Sequence, residues 1–130
     1  MKILQPPHWK APRGYVNGVA ATGTTVFVAG QIGWNALCEF ESDDFVAQVR
    51  QALENVVMLL REAGAEPRHL VRLTWFITDR KAYLAAQREI GVVYREVIGR
   101  QYPPMSVVVV TGLIEERAMV EIEATAVLPT

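Results

Sequence analysis

The sequence predicts an α+β fold: a mixed β-sheet with two helices packed on one face, in the order β-β-α-β-α-β-β. Three observations carry this prediction. Five stretches are rich in β-branched and aromatic residues. Two segments repeat apolar residues at helical spacing. A single strand-like stretch separates those segments, and the remaining strands pair up at the two ends of the chain.

Taken in order, Tyr15–Ala21 and Thr24–Gln31 read as two strands, with Thr22 and Gly23 as a hairpin turn between them. Ser42, Asp43 and Asp44 supply an N-cap and an acidic first turn for a helix that runs to about Ala63. Phe45, Val49, Leu53, Val56 and Leu60 form its apolar stripe. Gly64 suits the position just past the helix, and Pro67 blocks continuation. His69–Thr78 is a third strand. Asp79 caps a second helix over about Arg80–Ile98, with Tyr83, Ile90, Val93 and Val97 buried and Gly99 ending it. Met105–Leu113 and Val120–Leu128 are the fourth and fifth strands, joined through Gly112 and the charged Glu115–Arg117.

Composition narrows the function. The 130 residues are 51% hydrophobic and 21% charged, which fits one folded domain spanning 1–130 and excludes a disordered tail. Thirteen basic residues against fourteen acidic ones give a net charge of −1, so no general field attracts nucleic acid. One cysteine and two histidines are too few for an ordinary structural zinc site, and Cys38 has no partner for a disulfide. Cys38 and His8 receive no role, and His69 reads as a surface residue. The expectation is a cytoplasmic protein without metal or cofactor. No targeting segment is visible, and no apolar run approaches the roughly 20 residues of a membrane span.

The strands carry the first functional clue. In the last strand Val120, Ile122, Ala124 and Ala126 face one way, and Glu121, Glu123 and Thr125 the other. Val107–Val110 and Val26–Val28 are instead apolar on both faces, as strands buried on both faces are. Two helices cover one face of a five-stranded sheet. The second face needs another cover, for which a further copy of the chain is the simplest candidate. The alternative is that valine is merely a good strand former. Glu121 projects from the face an oligomer would bury, where an isolated charge is unfavourable and therefore a candidate for function. An ion-paired or solvated glutamate is the competing reading, and Glu123 on the same face illustrates it.

Six segments together resemble the RidA/YjgF family of enamine/imine deaminases. They are GYVNGV (14–19), VFVAGQIG (26–33), FVAQVRQALENV (45–56), EAGAEPRHLVRLTWFITD (62–79), YPPMS (102–106) and VEIEATAV (120–127). Each is weak alone, but their order and spacing cover the chain from Gly14 to Leu128. The resemblance implies a chorismate-mutase-like fold and a homotrimer whose sheets form a central barrel. It also implies three small-molecule clefts at subunit interfaces. The implied chemistry is hydrolysis of reactive imines, such as those derived from 2-aminoacrylate, to a 2-oxo acid and ammonia.

By this resemblance Glu121 is the carboxylate that orients water and moves its protons. Tyr15 lines the cleft and offers a hydroxyl, although an ordinary strand tyrosine would look the same. Gly30 and Gln31 match the family's GQ motif, with Gly30 allowing close backbone approach or simply serving a bulge. Ser106 follows the position of the family's substrate-binding arginine and brings its backbone to the ligand. That position itself is Met105 here. A thioether cannot bind a carboxylate, and a charged hydrogen bond of about 1.5–3 kcal/mol is lost. Arg72 and Arg13 are candidate replacements that spacing does not separate. Trp34 and Met105 would suit a larger, less polar ligand, or would pack at an interface. Three readings remain: a deaminase with altered substrate choice, a non-catalytic trimer that binds a metabolite or a partner, and a ribonuclease. The net charge and the lack of a basic–aromatic stripe argue against the last.

Overall fold

A computed structural model describes residues 1–130. Its elements are β1 (Lys2–Ile3), β2 (Val19–Ala20), β3 (Thr24–Ile32), α1 (Phe45–Glu62), β4 (Leu70–Ile77), α2 (Arg80–Ala85), α3 (Gln87–Val97), β5 (Met105–Val109) and β6 (Val120–Leu128). The main sheet has the order β3-β6-β4-β5. β6 runs antiparallel to both its neighbours, while β4 and β5 are parallel, so the sheet is mixed. No helix is long and apolar enough to cross a membrane.

Local chemistry fixes α1 at both ends. Asp44 stays extended and its carboxylate accepts from Ala47 N at 2.9 Å. At the other end Gly64 has φ +75°, Gly64 N donates to Arg61 O, and Ala65 N donates to Leu60 O. This paired closure needs a left-handed residue, which glycine supplies without strain. The stripe Phe45, Val49, Leu53, Val56 and Leu60 is buried as expected, and it packs on Val120, Ile122, Ala124 and Ala126. Asp79 caps α2 by accepting from Ala82 N at 3.0 Å.

Several expected elements differ. Tyr15–Ala21 does not form a hairpin with β3; only Val19–Ala20 is a strand, and it pairs with Lys2–Ile3. Gly14 at φ +74° turns the chain before Tyr15, and Leu4 N donates to Gly18 O, so the N-terminal segment takes the place expected for β3. The main sheet therefore has four strands rather than five. The second helix divides at Ala86 (φ −102°, ψ 10°), whose N–H is shared between Ala82 O and Tyr83 O. β5 ends at Val109 rather than Leu113, although Val110 N still donates to Ile77 O. His69 is not a surface residue. It lies 6% exposed in a short helical turn (Pro67–His69), where its Nδ1 accepts from Glu66 N.

One buried polar residue holds the two layers together. Gln48 lies on the apolar stripe of α1, fully buried. Its Nε2 donates to Ser42 O and Arg117 O, and its Oε1 accepts from Met119 N, which ties α1 to the entry of β6. Gln48→Leu keeps the bulk and removes all three bonds. The orphaned Met119 N–H and the two carbonyls should destabilise the protein by about 2–4 kcal/mol. Chemical denaturation at one fixed protein concentration measures this; a loss below about 1 kcal/mol would mean the loop re-solvates these groups freely.

Candidate functional site

Glu121 sits on β6, one of the two central strands of the sheet. Strand alternation turns its side chain to the face opposite the helices, directly across from Phe76 of β4. There it lies against Gly30. A Cβ added at Gly30 would fall 2.4 Å from Glu121 Oε2 and 2.7 Å from its Cδ. The glycine of the GQ motif thus makes room for the carboxylate, a role the sequence does not reveal. The β3–β6 register shifts between Val28 and Gln31, so Gly30 lies in a bulge, and Gln31 Nε2 donates to Ala29 O at 2.9 Å across it. Gln31 is thereby committed to the bulge. No ion pair holds Glu121: the three in the chain are Arg50–Glu96, Arg68–Glu66 and Arg117–Asp43. The carboxylate is half-buried and unpaired, with both oxygens free to orient a water.

A separate cavity of about 630 Å³ opens between α3, β5 and the segment before Tyr15. Tyr15 and Met105 both line it, together with Trp75, Tyr83, Tyr94 and Tyr102. Tyr15 is therefore a loop residue at a cavity rather than a strand tyrosine. The Tyr94 and Tyr102 rings stack, with centroids 5.2 Å apart. Burial pushes the Tyr94 hydroxyl well above the usual phenol range, and Tyr102 beside it adds to the effect. Burial also raises Tyr83, partly offset by its hydrogen bond with Gln87. Both phenols are therefore neutral donors near neutral pH.

The expected site residues fall into three places. Glu121, Gly30 and Ser106 belong to the outer face of the sheet; Ser106 pairs with Thr74 and is exposed. Tyr15 and Met105 belong to the cavity on the helix side. Trp34 joins neither group. Its ring packs against Phe40 at 5.9 Å, and Asn55 Nδ2 donates to its carbonyl. Of the two candidate arginines, Arg13 lines the cavity and Arg72 does not. The sequence reading missed Arg95 of α3, which also lines it. The available signal was Gly91, a helix-interior glycine one turn earlier that opens space on that face. Trp75 floors the cavity, and Phe76, the next residue, faces Glu121. Within one chain, the carboxylate and the cavity lie on opposite faces of the sheet.

A family model described as Endoribonuclease L-PSP matches residues 7–128. A 2-iminobutanoate/2-iminopropanoate deaminase from Salmonella typhimurium is 32% identical over 113 residues, spanning 87% of this chain and 86% of its own. Among solved structures, a Rid-family protein of unknown function from Yersinia pestis superposes with a TM-score of 0.85 at 32% identity, covering 98% of both chains. TdcF of E. coli, solved with bound serine, superposes with a TM-score of 0.69 at 33% identity, covering 98% of this chain and 99% of that one.

Proposed function

The chain belongs to the RidA/YjgF (endoribonuclease L-PSP) family, and from that premise we propose that it is an enamine/imine deaminase acting on a reactive small molecule, with Glu121 as its catalytic carboxylate. The observation that carries this reading is the unpaired Glu121 side chain lodged over Gly30. An enamine first takes a proton on carbon and becomes an iminium. The iminium carbon is electrophilic enough to need only a positioned water. Glu121 accepts a proton from that water as its oxygen bonds to carbon, giving a carbinolamine. The proton then moves to nitrogen, Glu121 takes the hydroxyl proton as the C–N bond breaks, and a carbonyl and ammonia leave.

The proposal includes a homotrimer, because one chain holds Glu121 and the cavity on opposite faces. The cavity opens beside β5, an edge strand, so a neighbour whose outer face packs against that edge would turn its own Glu121 toward the cavity. Phe27, 80% exposed on that face, supports this assembly. So do the free edges of the sheet: Thr24–Ile32 and Met105–Val109 carry no charge and no proline to discourage pairing. Met105, at the position the resemblance gives to the arginine, supports reading the protein as a member with non-standard substrate choice.

Ammonia release from wild type and Glu121→Ala, measured against imines generated in situ by amino-acid oxidases, tests the reading. Wild type should accelerate release for at least one imine, and the variant should not. Equal inactivity on every imine would sink it. Met105 favours a second reading, a trimer that binds a metabolite without turnover; ligand-induced thermal stabilisation with no ammonia release would support that one.

A further inference from the structure

The cavity beside Met105 carries cationic donors and no carboxylate. Arg13 and Arg95 line it, and no aspartate or glutamate does. Neither arginine takes part in any ion pair of the chain. Trp75 lines the same space, is 3% exposed, and its buried indole N–H has no acceptor in the protein. A buried donor without a partner is unfavourable and normally finds one in water or in a ligand. Two unpaired guanidinium groups lining the cavity, with an orphaned N–H on a third lining residue, call for an anion with a second oxygen acceptor.

The other walls set the size and shape of that anion. The stacked Tyr94 and Tyr102 rings and the flexible Met105 form a flat, polarizable surface. A volume of about 630 Å³ lies in the range used for ligands much larger than a three-carbon acid.

We propose that Arg13 and Arg95 bind the carboxylate of an aromatic 2-imino acid whose ring lies against Tyr94, Tyr102 and Met105. The carboxylate grip absent from position 105 is thus supplied from two other elements. Trp75 Nε1 donates to the oxygen at C2 of the carbinolamine or the 2-oxo product. Met105 then serves as an apolar wall against the ring. This inference rests on the deaminase reading for its imine, but binding in the cavity is measurable without turnover.

The test uses the full chain with phenylpyruvate as the product-like probe. Pyruvate lacks the ring, and phenylacetone lacks the carboxylate. Calorimetry should show phenylpyruvate binding at least tenfold more tightly than either. Arg13→Met and Arg95→Met, both at exposed positions, should each weaken phenylpyruvate at least tenfold and leave phenylacetone unchanged. The Trp75 indole N–H resonance, identified by its loss in Trp75→Phe, should move on adding phenylpyruvate to wild type. Equal binding of all three probes would overturn the proposal, as would phenylpyruvate binding that both arginine variants retain. Glu121→Gln separates the two readings. Intact phenylpyruvate binding with no turnover by wild type would reject the deaminase and keep the cavity. Turnover lost in Glu121→Gln but indifferent to both arginines and to the ring would do the reverse.

Discussion

Gly30→Ala is expected to reduce imine hydrolysis about 100-fold or more, close to the effect of Glu121→Gln, and the double variant should be little worse than either single one. Geometry gives the reason. The new methyl would occupy a point 2.4 Å from Glu121 Oε2 and 2.8 Å from its Cγ, far inside contact distance. The glutamate is a flexible side chain on a half-buried face, so it can swing away while the backbone stays in place. The stability of the fold should therefore change by less than about 1 kcal/mol, whereas the carboxylate leaves its position. A positioned acid–base group contributes about 10²–10⁴-fold, and a displacement of about 1 Å forfeits much of that. Two substitutions that remove the same positioned group are strongly non-additive. Ammonia-release rates for the four members of this cycle decide the matter. A Gly30→Ala variant with the wild-type rate would show that the carboxylate does not act from its place over Gly30.

That contact also shows where sequence reasoning stops. Both partners are named by motif, yet they are 91 positions apart and meet only through the β3–β6 register. Local signals worked where the physics is local. Asp44, Asp79 and Gly64 closed the helix ends they were expected to close, and the alternation of β6 assigned Glu121 to the correct face. They failed where a distant partner decided the outcome. Tyr15–Ala21 has strand-like character, but Leu4 N donates to the Gly18 carbonyl that a hairpin would have used, and the Gln5 side chain accepts from Asn17 Nδ2. Gln48 occupies an apolar stripe as a polar residue, a visible anomaly whose acceptors at Ser42 and Arg117 no periodicity could supply. The break at Ala86 has no breaker residue to announce it. Arg95 reads as one more charge on a helix until Arg13, 82 positions away, is found lining the same cavity.

Phe27→Asp is expected to dissociate the protein to monomers and to abolish turnover while leaving each subunit folded. Phe27 is on β3, an edge strand, opposite Thr125 and on the same face as Glu121. Its ring contributes almost nothing to the core of its own chain, since it is 80% exposed there. The substitution should therefore be close to neutral for the isolated fold. In the proposed trimer the same ring is buried, and each copy gains about 1.5–3 kcal/mol from it. Aspartate forfeits that gain three times over and also brings three carboxylates to one barrel, where unpaired charges are strongly unfavourable. Sedimentation should find wild type near three times 14.5 kDa and the variant near 14.5 kDa. Circular dichroism should report the same helix and strand content for both. Activity should vanish with assembly, because separate subunits keep Glu121 and the cavity on opposite faces of the sheet. A wild type that sediments as a monomer at micromolar concentration would reject the assembly. A monomeric Phe27→Asp that still releases ammonia would place the whole reaction within one chain, and Glu121 would then need partners from its own face.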